Sequence, residues 1–233
     1  SLGNLFKDIG KIDDANKCFK KLIALKPKNI GYKINSAGLI APIVQSVVEI
    51  DFYRINYSKS LQSLKGCRFI TEKPGYAIRL NIFNLAYHAK NNLEIMKKTS
   101  VFFRKTLPNI NYVNKKINIK KNRKIIKVGF ISQYLTNHTI GKLFGGLIKN
   151  IDKKKFETII FHTVDTKKSL LRNEIDSSAN KVINLDTRIQ EQQQQVARED
   201  LDIIFYPDIG MSSTTYFLAF SRLAPVQIVS WGH

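Results

Sequence analysis

The chain has 233 residues, 43% of them hydrophobic, with 38 Lys and Arg against 18 Asp and Glu for a formal charge of +20. That apolar fraction excludes a disordered tail and suffices for a sizeable core in one or two domains. No run approaches the roughly 18 apolar residues of a membrane span, and the opening SLGNLFKDIGKIDDANK lacks a signal peptide's basic start and apolar stretch, so a cytoplasmic setting with no membrane partner is expected.

The charge invites a nucleic-acid partner, because clustered cations bind phosphate backbones by releasing counterions. Only 9 of the 38 basic residues are Arg, and the Lys excess accompanies abundant Asn and Ile, which reads as compositional bias. The cations gather at Lys115, Lys116, Lys120, Lys121, Arg123, Lys124 and Lys127, in what reads as a solvated linker running into a strand. Nucleic acid is therefore not the expected partner. Cys18 and Cys67 form no CxxC pair and the four His are scattered, so reduced thiols and no metal site are expected.

In residues 1–29, Leu2-Gly3, Phe6, Ala15, Phe19 and Pro27 fall at the spacing of a tetratricopeptide (TPR) repeat, which they resemble. Ala15 lets two helices approach, Phe19 and Leu22 fill the groove between them, and Pro27 ends the second. The repeat's first aromatic would precede Ser1, so the chain is expected to begin inside a repeat. One repeat further on, Ser36, Ala37, Ile40 and Glu49 occupy the signature positions, and the pattern stops. Residues 30–114 read as a helical connecting region, with apolar residues at three- and four-residue spacing over 41–64 and 77–107. A turn at Lys73-Pro74-Gly75 separates the runs, and Pro108 closes the second. His88 reads as a packed, hydrogen-bonded core histidine. Residues 115–123 form the basic linker.

From Lys124 to His233 short apolar runs alternate with amphipathic helices. KIIKVGFIS, FETIIFHT, KVINL, LDIIFYPD and VQIVSWG read as five strands. Between them lie a helix striped by Ile140, Leu143, Phe144, Leu147, Ile148 and Ile151, then KKSLLRNEIDSSAN, RIQEQQQQVARED with its Gln run as the wet face, and TTYFLAFSRL. Such alternation predicts an α/β fold with a parallel sheet covered on both faces.

Ligands of open parallel sheets bind beyond the carboxyl ends of the strands. This rule selects SQYLTNHTIG, YPDIGMSS and SWGH, placing His138, Asp208, Gly210, Trp231 and His233 on one rim. The first loop has no GxGxxG and instead presents Asn137 and His138 before a helix start. A histidine there suits a general base or a hydrogen-bond partner for a hydroxyl. Asp208 reads either as an acceptor for a sugar or peptide or as a turn residue, and His162 as core.

The run LDIIFYPDIGMSSTTYFLAFSRLAPVQIVSWGH resembles the bacterial SPINDLY-like and O-GlcNAc transferase family, in which TPR helices precede a GT-B catalytic region. IIKVGFIS followed by NHTIGKLFGGLI looks like the start of that region, and FNLAYHAKNN like the segment joining the repeats to it. The resemblance implies that 124–233 form the first Rossmann-like lobe of a GT-B enzyme, with a second lobe beyond His233. It implies an inverting transfer, typically of GlcNAc from UDP-GlcNAc to Ser or Thr of acceptor proteins guided by the TPR region. No metal or cofactor is implied, the UDP-sugar being the substrate. His138 falls on the family's active-site histidine, assigned as base or as positioning group, with Asn137, Asp208 and Gly210 beside it as substrate-binding positions. Trp231-Gly232-His233 falls on the segment approaching the donor sugar. Thr139 stands where the family often has Pro. A piece ending here is expected to be inactive alone, with the loops around Tyr134 and Tyr206 exposed. The alternative is a noncatalytic TPR scaffold that binds peptides or partner proteins.

Overall fold

A computed structural model describes residues 2–80, 82–118 and 122–230. The chain divides into two compact units, residues 1–108 and residues 109–232.

The first unit is helical: α1 (Leu2–Asp8), α2 (Ile12–Leu25), α3 (Ile30–Ala37), α4 (Val47–Ser63), a single turn α5 (Pro74–Ala77), a 3-10 helix over Ile82–His88 and α6 (Leu93–Thr106). α1 and α2 form a hairpin around Ala15 and Phe19, both fully buried, against which Phe6, Ile12 and Leu22 pack. A Cβ at Gly3 would lie 3.2 Å from the Phe19 ring, so glycine lets α1 rest on that ring. α2 stops at Leu25, two residues before Pro27. These are the contacts expected from the opening spacing. Further on, buried Asn35 ties α3 to α5 and the segment after it, donating to Ala77 O at 2.8 Å and accepting from Arg79 N at 2.9 Å. Tyr57 of α4 accepts from Thr99 of α6 at 3.1 Å inside the unit.

Two expectations change here. The run over 77–107 is not continuous α-helix: it splits into the 3-10 helix and α6 around Ala89, whose φ of 50° is left-handed, and Asn91, whose side chain accepts from Leu93 N. His88 is buried as expected, but neither ring nitrogen has a protein hydrogen-bond partner. Burial and the nearby Arg54 and Lys90 cations lower its pKa, so the ring sits there neutral.

The second unit alternates β1 (Ile126–Ser132), α7 (Thr139–Asn150), β2 (Phe156–His162), α8 (Leu170–Ser177), β3 (Lys181–Asn184), α9 (Ile189–Arg198), β4 (Ile203–Tyr206), α10 (Ser213–Leu218) and β5 (Val226–Val229). The strands form one parallel sheet in the order β3-β2-β1-β4-β5, placing β1 at the centre, where the strand order reverses. On one face Phe205 meets Phe130 and Phe144 edge-on at 5.8 and 5.2 Å. Buried Leu135, Ile140, Ile148, Ile160 and Ile175 complete that cluster, each worth about 1.5–3 kcal/mol of burial. α10 is buried over Thr214–Leu218, as its apolar character on both sides predicts.

The Gln run of α9 is only partly a wet face: Gln190 and Gln194 are exposed, but half of the run turns inward. Gln192 and Gln193 are buried, the first donating to Asp186 O at 2.7 Å and the second to Asn109 O and Ser221 Oγ at 2.8 and 2.9 Å. Buried amides are tolerated because each finds a carbonyl or hydroxyl. Through Gln193, and through the Asn114 N–H donating to Arg222 O at 2.8 Å, the stretch after Pro108 is stitched to this unit. The basic segment is likewise partly engaged: Arg123 pairs with Asp200 at 2.7 Å and Asp202 at 3.5 Å, and Lys127 with Glu157 at 3.2 Å.

Candidate functional site

The central strand β1 delivers its exit loop, Gln133–His138, to the carboxyl edge of the sheet beside the exit of β4, Pro207–Ser212. The two loops are fastened together by Asp208. Its Oδ2 accepts from Ser132 Oγ and from Gln133 N, each at 3.2 Å, and the residue is 1% exposed. Ser132 Oγ in turn accepts from Tyr134 N at 2.8 Å. The other carboxyl oxygen, Oδ1, is buried without a protein partner, as are Tyr206 Oη and Ser212 Oγ on the same exit segment. Burial pushes the Asp208 carboxyl up to about 7, against the two hydrogen bonds that hold its charged form. Gly210 turns this loop with φ at 94°, a left-handed value that favours glycine.

Tyr134 bridges Asp208's loop to His138. Its hydroxyl donates to Met211 O at 3.2 Å, and its ring lies 4.5 Å from the His138 ring at 31°. Burial first, then the Asp208 and Asp165 charges, raise its pKa and keep it protonated. His138 occupies the N-cap of α7, where its Nδ1 accepts from Ile140 N at 3.2 Å. An acceptor Nδ1 bears no proton, so the neutral ring carries its hydrogen on Nε2. Burial lowers the His138 pKa, which favours that neutral form near neutrality. The half-buried ring therefore offers an N–H at Nε2.

Asn137 is exposed, and its backbone is held by donation from its N–H to Ser169 Oγ at 3.1 Å. Thr136 Oγ1 donates to Lys167 O at 2.9 Å and lies 2.8 Å from Ser169 Oγ, so the loop before α8 buttresses the histidine loop. From the other side Gly141 makes room: a Cβ there would lie 2.0 Å from Thr136 O. His138, Asn137, Asp208 and Gly210 thus come together on one edge of the sheet. Trp231, Gly232 and His233 lie outside the described residues. Tyr206 is 2% exposed, not a surface ring, and only Tyr134 of the two tyrosines keeps a partly open face. His162 is core, fully buried with Nε2 2.7 Å from Asp176.

Ser132, Tyr134 and Gly141 fall within the rim segment that the sequence selects, but sequence reasoning assigns them no role there. Gly141 carried the one available signal, a glycine in the first turn of a helix that has every reason to prefer alanine. No His, Cys, Asp or Glu cluster with the makings of a metal site occurs among the described residues, and no described helix is long and apolar enough to cross a membrane.

No protein-family model and no curated protein sequence matches the chain. Among solved structures it resembles a mutant O-GlcNAc transferase of Thermobaculum terrenum, with a TM-score of 0.64 and 16% identity, over 100% of this chain and 43% of that one. The chain spans less than half the length of that neighbour, and at this identity the likeness establishes a shared fold, helices followed in sequence by a five-stranded parallel α/β unit.

Proposed function

We propose that this chain carries the first lobe of an inverting protein O-glycosyltransferase that moves GlcNAc from UDP-GlcNAc to Ser or Thr hydroxyls. One observation carries the reading. On a fold like that of an O-GlcNAc transferase, a helix-capping histidine and a buried carboxyl are wired through Tyr134 into one edge at the sheet's switch point. Unmet buried polar atoms at Tyr206, Asp208 and Ser212 support it, since such groups concentrate at functional sites.

In the reaction the acceptor oxygen forms a bond to the anomeric carbon as the bond to UDP breaks; UDP keeps the electron pair and the acceptor proton passes to the leaving diphosphate or to water. With Nδ1 held by the cap, His138 reaches substrate through Nε2–H, as a donor that orients the acceptor or the sugar. Abstracting a proton at Nε2 would first require the cap to break and the tautomer to switch. His138 is thus the catalytic residue of the proposal, acting by orientation, with Asn137 and the Gly210 turn lining the acceptor side. Asp208 holds the two loops in register. Acceptor proteins would approach along the TPR-like helices.

The test uses the protein carrying both lobes, with nucleotide release from a panel of UDP- and GDP-sugars measured with and without peptide acceptor. His138→Ala should lower turnover by about 10²–10⁴ with donor affinity nearly unchanged. His138→Gln keeps an N–H near the Nε2 position and should retain activity within about tenfold of wild type, whereas a general base would make Gln as inactive as Ala. Absence of release with every donor would leave the noncatalytic peptide-binding scaffold as the better account.

A further inference from the structure

The helical unit holds a cavity of about 370 Å³ between α4 and α6, within the size range of ligand clefts. Its floor is apolar, made by Leu61, Val101 and Phe102; four lysines, Lys65, Lys97, Lys98 and Lys105, rim it, and no Asp or Glu lines it. Val101 remains 53% exposed in this setting.

Two ordinary explanations cover only part of the pattern. Lys65 and Lys105 sit at the carboxyl ends of their helices, where cations offset the macrodipole. Lys97 and Lys98 do not: they lie in the second turn of α6, well away from its carboxyl end. Local neutralisation fails as well. Lys97 has only Glu94, at 3.1 Å with both side chains exposed, a pairing easily exchanged. Among the described residues Lys65, Lys98 and Lys105 have no carboxylate partner.

The spacing specifies an occupant. Lys97, Val101 and Lys105 recur every fourth residue on one face of α6, so neighbours along the row are separated by about 6 Å. Alternate side chains of an extended peptide repeat at about 6.6 Å. We propose that this groove binds an extended acidic segment of another protein, patterned as carboxylate, spacer, large apolar residue, spacer, carboxylate. The apolar side chain enters over Val101 and Phe102, and the carboxylates reach Lys97 and Lys105 with Lys65 and Lys98 on the flanks. Ser58, Gln62 and Thr106 lie along the same groove and present polar groups to the segment's backbone. A fatty-acid carboxylate fits the floor but carries a single anionic head, which leaves cations about 12 Å apart along α6 unexplained. The site belongs to the helical unit and stands independently of the glycosyl-transfer reading.

Fluorescence anisotropy with a labelled peptide of core Glu-Ser-Phe-Ser-Glu tests this on the intact chain. A dissociation constant on the order of 100 μM is expected, the strength of one buried ring and a few exposed ion pairs. Glu-Ser-Gly-Ser-Glu should bind at least tenfold more weakly, and Lys-Ser-Phe-Ser-Lys should not bind. The double variant K97E/K105E, both exposed positions whose folding is checked by circular dichroism, should lose the acidic peptide and gain the basic one. The proposal is overturned if no peptide binds, if the charge reversal leaves binding unchanged, or if dodecanoate binds more tightly and displaces the peptide. Equal binding of a DNA oligonucleotide and the acidic peptide would overturn it in favour of unspecific charge attraction.

Discussion

Asp208 places an ionisable group where its charge is costly, and the cost can be read out against pH. Its folded pKa is about 7, above the ordinary carboxyl value of 3.8, so between those limits the folded chain binds a proton that the unfolded chain lacks. Stability contributed by this residue therefore falls as pH rises from about 4 to 7, and above 7 the buried carboxylate imposes its full penalty. Asn keeps an oxygen for Ser132 and Gln133 without the charge. Asp208→Asn should thus be the more stable protein above pH 7, by roughly 2–4 kcal/mol at about 1.36 kcal/mol per pKa unit, with the advantage shrinking toward pH 4. His88, His138 and His162 have lowered pKa values and act with the opposite sign, losing stability as pH falls below about 6.5, but they are common to both proteins and cancel in the difference. Urea midpoints of the pair across pH 4–8 provide the measurement; a gap that stays constant with pH would show that Asp208 does not titrate as described. From sequence, Asp208 was legible as a residue at a strand's carboxyl end. Its burial was not, because that depends on Ser132 and Gln133, 76 and 75 residues away.

At the scale of an element, α7 contains its own control experiment. Its three glycines read alike in sequence but face three different surroundings. A Cβ at Gly141 would strike the Thr136 backbone at 2.0 Å, one at Gly145 would meet Ile175 at 3.0 Å, and one at Gly146 would meet nothing within 4 Å. Gly141→Ala must push the histidine loop away and should cost about 1–3 kcal/mol or more, as overpacking does. Gly146→Ala should stabilise by about 0.5–1 kcal/mol through helix propensity alone, and Gly145→Ala should fall between. Denaturant titration ranks the three, and a destabilising Gly146→Ala would contradict the open surface assigned to it. The helix itself was legible, since its apolar stripe and the five continuous strands follow from local periodicity. The Gln run of α9 reads as wet because glutamine is polar, yet Gln192 and Gln193 share the helix face of buried Ile189, Val196 and Ala197 and are accommodated there by carbonyls of Asp186 and of Asn109, the latter 84 residues away. The break in the 77–107 run escaped notice because a 3-10 helix and an α-helix carry similar apolar spacing.

For the molecule as a whole, the informative quantity is which half of the proposed reaction this chain can support. Its sheet edge supplies a histidine, a turn and a clamped carboxyl, all suited to orienting an acceptor. For a diphosphate it supplies little: the β1 exit has no glycine-rich cradle, Asp208 is anionic above pH 7, and Asn137 is neutral. The net charge of +20 does not compensate at this edge, because Arg123 and Lys127, the cations flanking β1, are engaged with Asp200, Asp202 and Glu157. On the proposed reading the donor is held largely by a second lobe. The 233-residue chain should therefore bind UDP no more tightly than about 1 mM, an affinity worth about 4 kcal/mol, and should release no UDP from UDP-GlcNAc. Calorimetric titration of the purified chain with UDP decides the matter, with a matched uridine titration separating base recognition from diphosphate recognition. Micromolar binding of UDP but not uridine would place a phosphate site on this half of the molecule, and the division of labour between an acceptor-orienting edge and a separate donor lobe would have to be abandoned.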